Sequence, residues 1–114
     1  MASTRPVMIG TAGPDLDACL SNARVVGLNP KGDNFLAVRS APSASAPMRD
    51  KLKTGWELHV CEESKDGRWM GIVYAPGGKL ASCGVTSPVA APRPYRGKCR
   101  SGWVSAKYVH VYAG

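Results

Sequence analysis

The sequence predicts an all-β fold, a small barrel or sandwich, and three observations carry that expectation. Short runs of β-type composition recur from residue 23 onward: "ARVVGL", "FLAVRS", "WELHVCEE", "RWMGIVY", "GWVSA" and "YVHVYA". Turn-forming segments fence them, with "NPKGDN" between the first two, "SAPSASAP" after the second and "SKDG" between the third and fourth. Helical periodicity is nearly absent between the runs, and close spacing of short strands marks small barrels and sandwiches. The 114 residues leave room for one domain around one core, since domains run to roughly 100 to 150 residues.

Taken in order, residues 1–22 read as an N-terminal arm. Gly13 and Pro14 break them, and "PDLDACLSN" offers one helical turn with proline at its start. The barrel domain then spans 23–114. In "FLAVRS", Leu36 and Val38 alternate with Ala37 and Arg39, which places the first pair in the core and the guanidinium outside, free to tie down neighbouring carbonyls or a carboxylate. The clearest hairpin is "ELHVCEESKDGRWMGIVY": Leu58 and Val60 share one face, Glu57, His59 and Cys61 the other, and Asp66-Gly67 sits where the chain reverses. Residues 75–100 carry four prolines and four glycines and read as a long irregular insertion. Loops of that length in a compact domain are functional or mobile.

Four cysteines, Cys19, Cys61, Cys83 and Cys99, show no short metal-site or redox spacing. Two disulfides, free buried thiols, and a metal or reactive thiol are the alternatives, favoured in that order, and three pairings are open. The pairing we expect is Cys83 with Cys99 and Cys19 with Cys61, because the first would close the Pro/Gly-rich segment. Disulfides imply an oxidising compartment. The opening residues "MASTRPVMIGTAGPDLDACL" lack the apolar stretch of roughly 7 to 15 residues that an export signal carries. We therefore expect a mature periplasmic or extracellular chain, with the signal removed and Met1 supplied for expression. No apolar run approaches the ~20 residues of a transmembrane helix.

The net charge of +7 is unevenly placed. Residues 1–66 hold eight Lys/Arg and all eight Asp/Glu, while residues 67–114 hold seven Lys/Arg and no acid. That asymmetry suits either a negatively charged partner or a solvated basic face.

An ordered set of motifs, "FLAVRSAPSASAPMRDKLKTGWELHV", then "GRWMGIVY", then "SGWVSAKYV", resembles the bacterial SH3-like (SH3b) domain. Val38-Arg39, Leu52 through Gly55, Trp69, and Gly102-Trp103-Val104 with Tyr108 stand in that family's order over roughly residues 34–110. The resemblance implies an SH3-like barrel in which the 40–47 loop walls a groove for extended peptide, Trp69 and Tyr108 line it, and Trp103 packs in the barrel. Three departures are visible: Ala41 where the family usually has glycine, the 75–100 insertion, and the extra strand "ARVVGL" with the four cysteines.

Catalysis is not expected. His59 and His110 fall at outward strand positions, and no cysteine or serine carries a nucleophile signature. The candidate ligand-binding residues are Trp69, Tyr108, Arg39 and Ser43 around the loop, with Tyr95, Arg93, Arg96 and Arg100 in the insertion, where cations surround one aromatic ring. No cofactor and no metal is expected. The expected role is a non-catalytic exported module binding an extended peptide or cell-wall fragment. One alternative is an inhibitor- or immunity-type protein whose basic insertion fills an acidic cleft in a partner protein. A second is a nucleic-acid-binding barrel, disfavoured because most rings fall at structural positions.

Overall fold

The computed structural model describes residues 4–32 and 34–113. Its elements are β1 (Met8–Ile9), β2 (Ser21–Val25), β3 (Leu36–Arg39), β4 (Met48–Leu52), β5 (Glu57–Glu63), β6 (Trp69–Tyr74), β7 (Arg93–Pro94), β8 (Arg100–Ser105), a 3₁₀ turn (Ala106–Tyr108) and β9 (Val109–Ala113). The fold is all-β, as the sequence predicts, and among the described residues no helix is long and apolar enough to cross a membrane. Seven antiparallel strands form one sheet in the order β4-β3-β8-β6-β5-β2-β9, and β1 and β7 make a separate two-stranded ribbon.

Strand alternation sends side chains to two faces, and both faces are covered. Ala23, Val25, Leu36, Val38, Leu52, Leu58, Ile72, Tyr74 and Val104 gather on one side, drawn from six strands of the large sheet. On the other side Cys61, Val73 and Trp103 meet Val7, Ile9, Ala18 and Cys19 from the arm and Cys83 and Val85 from the insertion. The expected faces of β5 therefore hold, with Leu58 inward and Cys61 opposite. The expectation of one core does not. A small chain gains from covering its sheet twice, because each buried aliphatic side chain contributes about 1.5–3 kcal/mol.

Of residues 1–22, read above as an arm, residues 4–20 are built into this outer layer and Ser21 and Asn22 open β2. Met8 pairs with Pro94 and Ile9 with Arg93, and "PDLDACLSN" forms turns rather than a helical turn before β2 begins at Ser21. Trp103 is buried as expected, but it packs in the outer layer and not in the inner cluster: its Nε1–H donates to the Arg5 carbonyl at 2.8 Å, and the Arg5 guanidinium lies 5.0 Å from its ring centroid.

His59 also departs from expectation, being buried at 2 % exposure instead of facing solvent. Its Nε2–H donates to the Ala81 carbonyl, and its Nδ1 contacts the Asn22 side chain at 3.1 Å. One imidazole thus fastens the insertion to β2 and β5. The physical reason is the insertion itself, which covers the face that the alternation left open.

Both disulfides bind outer-layer pieces. Cys19–Cys61 ties the arm to β5 and Cys83–Cys99 closes the insertion. Cys83 holds φ 53° and Gly84 φ 76°, and the Val85 N–H donates to the Ser82 carbonyl at 2.9 Å. That is a type I′ turn. Cys83, bonded to Cys99, thus adopts a conformation that is uncommon for non-glycine residues.

Glycine is required where β8 meets β3. A Cβ on Gly102 would stand 2.3 Å from Val38 Cγ1 and 3.0 Å from the Arg39 carbonyl.

Candidate functional site

At the Trp69 end of β6 the structure opens a groove of about 510 Å³. Several elements build it. Trp69 lies across from Ser105 in the β6–β8 register, and Tyr108 ends the 3₁₀ turn, its carbonyl accepting from the Val26 N–H at 2.9 Å. Leu28 and Asn29 enter from the connection after β2, Phe35 stands just before β3, and Met48 begins β4. Ala44 supplies the contribution of the 40–47 loop.

The loop itself is tightly organised. Ser40 N–H donates to the Pro47 carbonyl at 3.0 Å and Ala46 N–H to the Ser43 carbonyl at 3.1 Å. Arg39 Nη1 donates to the Ala46 carbonyl at 3.0 Å, so the outward guanidinium does tie down a carbonyl. Ala41 and Ala46 are buried, which explains why small residues are needed there independently of any ligand. Among the described non-glycine residues positive φ occurs at Cys83 alone, so Ala41 meets no strain where the family usually has glycine.

Trp69, Tyr108 and Arg39 therefore share one cavity. Ser43 does not line it: its Oγ contacts Ser45 Oγ at 2.8 Å and accepts from the Ser45 N–H at 3.2 Å, so the side chain organises its own loop. Tyr95 is likewise a structural residue. Its hydroxyl donates to the Cys83 carbonyl at 2.8 Å and accepts from the Cys99 N–H at 3.1 Å, which fixes the insertion from inside. Arg93 and Arg96 are exposed on the insertion. Arg100 is drawn to the opposite end of β6, where it pairs with Asp50 at 3.0 Å. Sequence reasoning missed Phe35, Met48 and Leu28 as groove residues. Phe35 stands beside an alternating strand and reads as part of it, and "NPKGDN" reads only as a turn.

The far end of the sheet is closed by polar groups. Tyr74 Oη donates to Asp50 Oδ2 at 2.8 Å, Arg100 Nη1 donates to the same oxygen at 3.0 Å, and Lys51 N–H donates to Oδ1 at 2.9 Å. Burial acts to raise the Asp50 pKa, but the hydrogen bonds from Tyr74, Lys51 and Arg100, together with the charge of Arg100, hold it below the ordinary carboxyl value. Burial, and then the bond to Asp50, push the Tyr74 hydroxyl pKa up.

A carboxyl whose pKa is lower in the folded state favours folding at pH values above its unfolded pKa. That contribution is lost as pH falls through the folded value. Asp50 should thus stabilise the protein fully above its ordinary pKa of 3.8 and progressively less below it. Asp50→Asn should lower stability at neutral pH and lessen the further loss in acid. Urea titrations from about pH 7 to about pH 2.5 check this, and a difference between wild type and variant that stays constant across the range would contradict it.

No family model matches the chain, and neither do any curated proteins or solved structures.

Proposed function

We propose that this chain is a non-catalytic binding module of SH3-like (SH3b) type, working in the periplasm or outside the cell, and that its groove takes an extended peptide or cell-wall fragment. One observation carries the reading: a single open cavity gathers Trp69, Tyr108, Phe35 and Met48 with Arg39 and the wall of the 40–47 loop. Flat aromatic faces offer broad apolar area with little rotamer entropy to lose, which suits extended ligands. Arg39 uses one guanidinium contact on Ala46 and keeps further N–H donors for a ligand carbonyl or carboxylate. Two disulfides fit an oxidising compartment.

Binding should be carried by apolar contact rather than charge. Trp69→Ala is expected to weaken affinity for peptidoglycan stem peptides about 10- to 100-fold, the size of losing one aromatic anchor, with weak dependence on salt. Calorimetric titration of wild type and variant measures it. Undetectable binding of isolated peptidoglycan and its stem peptides at millimolar ligand would remove the reading.

A second reading rests on the exposed cations Arg93 and Arg96: an inhibitor- or immunity-type protein that sets its basic insertion into an acidic cleft. Its signature is opposite, steep salt dependence and loss on charge removal at Arg93, Arg96 and Arg100. Nucleic acid is favoured less, because the Tyr95 ring is half-buried against the outer cluster and offers little face for stacking.

A further inference from the structure

The end of the sheet opposite the groove holds a second cleft, of about 310 Å³, lined by Arg49, Asp50, Tyr74, Arg100 and Ser101. Trp69 and Tyr74 stand at opposite ends of β6, roughly 17 Å apart at about 3.3 Å per residue, while on β4 the groove's Met48 and the cleft's Arg49 are neighbours.

Its two arginines come from different strands and are held by an exchange across the sheet. Arg49, on β4, donates through Nη1 to the Ser101 carbonyl on β8 at 3.2 Å. Arg100, on β8, donates through Nη1 to Asp50 on β4 at 3.0 Å. Each strand's arginine is anchored on the other strand, which sets the two guanidinium groups over one cleft. A guanidinium has five N–H donors, and most on each arginine are left facing solvent, with the Arg100 side chain 59 % exposed.

The charge balance favours an anion. Asp50 is the one acid among the cleft's lining residues, and the bonds from Tyr74, Lys51 and Arg100 already engage both its oxygens. Two fixed arginines face it, and residues 67–114 bring no acid to compete. Convergent forked donors suit a tetrahedral oxyanion, whose several oxygens accept from two guanidinium groups at once.

We propose that the Arg49–Arg100 cleft is a binding site for a phosphate group, separate from the groove. The phosphate is held by charge-assisted hydrogen bonds from both arginines. The Lys51 side chain lies instead over the Phe35 ring, its ammonium 4.7 Å from the centroid, and takes no part in the site.

The test is a chemical-shift titration of the disulfide-intact protein with inorganic phosphate, glycerol phosphate, phosphatidylglycerol vesicles and a single-stranded oligonucleotide, at low and moderate salt. Saturable shifts of the Arg49 and Arg100 Nε–H signals, with the Trp69 indole unmoved, are expected with at least glycerol phosphate. Whichever larger probe binds more tightly than glycerol phosphate identifies the source of the group. Arg49→Gln leaves the Arg100–Asp50 pair in place and should weaken glycerol phosphate binding about 5- to 20-fold, with affinity falling as salt rises. Arg100→Lys, which keeps the charge and loses the fork, should weaken it less. Shifts spread over all cations without saturation, or an Arg49→Gln variant that binds like wild type, would overturn the site. A failed groove leaves this result untouched, because the two sites report through different signals.

Discussion

Trp103→Ala should cost about 3–5 kcal/mol of stability, the range for truncating a fully buried aromatic. Trp103 has 0 % exposure and packs against the arm, the insertion and Gly71, where a Cβ would lie 3.4 Å from its ring. Its indole N–H fastens the Arg5 carbonyl, so the variant should also loosen the arm's attachment. Urea unfolding without reductant measures the first effect. Hydrogen exchange around Val7 and Tyr95, whose backbone groups pair at 2.8 Å, measures the second. Trp103→Phe separates the contributions: it retains most of the packing and loses the hydrogen bond, so a smaller loss of about 1–3 kcal/mol is expected. A Trp103→Ala variant within about 1 kcal/mol of wild type would mean that the outer layer adds little.

Removing the Cys19–Cys61 bridge should have a comparable effect by a different physical route. The bond spans 42 residues, and in the chain-entropy model a loop of that length contributes about 4 kcal/mol by restricting the unfolded chain. Cys83–Cys99 spans 16 residues and by the same relation contributes about 3 kcal/mol. The Cys19→Ser/Cys61→Ser double variant should therefore unfold at lower urea than Cys83→Ser/Cys99→Ser, with the arm opening first. Val7 and Ile9 would be exposed, which dye binding and proteolysis detect. Because the groove is built from the β2–β3 connection, β3, the start of β4, β6 and the 3₁₀ turn, none of which holds a cysteine, its aromatic signals should persist in whatever fraction stays folded. Equal midpoints for the two double variants would contradict the loop-length argument.

Much of the sheet was legible because its inner face obeys a period of two. Leu36 and Val38, and Leu58 and Val60, alternate with polar or small residues, and those positions meet in the inner cluster. The cysteine pairing was expected from the Pro/Gly-rich span that one bond closes. The outer layer was harder to read. "WMGIVY" lacks alternation because both its faces are buried, and a continuous apolar run is the mark of a strand covered on two sides. That run sits beside two segments rich in glycine and proline, which carry no periodicity of their own. Their apolar residues, Val7, Ile9, Ala18 and Val85, are isolated in sequence and meet only in three dimensions. The misplacement of His59 follows from the same cause: a position opposite Leu58 counts as outward until something covers it.

The candidate site was legible in part. Trp69, Tyr108 and Arg39 were named together from the resemblance, and they line one cavity. Ser43 and Tyr95 were chosen by residue type, and type does not reveal that a hydroxyl already has a partner within the fold. Tyr95 is the clearest instance, since its hydroxyl holds Cys83 and Cys99 in place.

The groove assignment is tested most directly by mapping backbone and indole chemical shifts of the disulfide-intact protein during titration with peptidoglycan stem peptides. The account predicts saturable shifts at Trp69, Tyr108, Phe35, Met48 and residues 39–46, with the Tyr74 end of β6 unchanged. Saturable shifts confined to Arg93, Arg96 and their neighbours, with Trp69 silent, would contradict it.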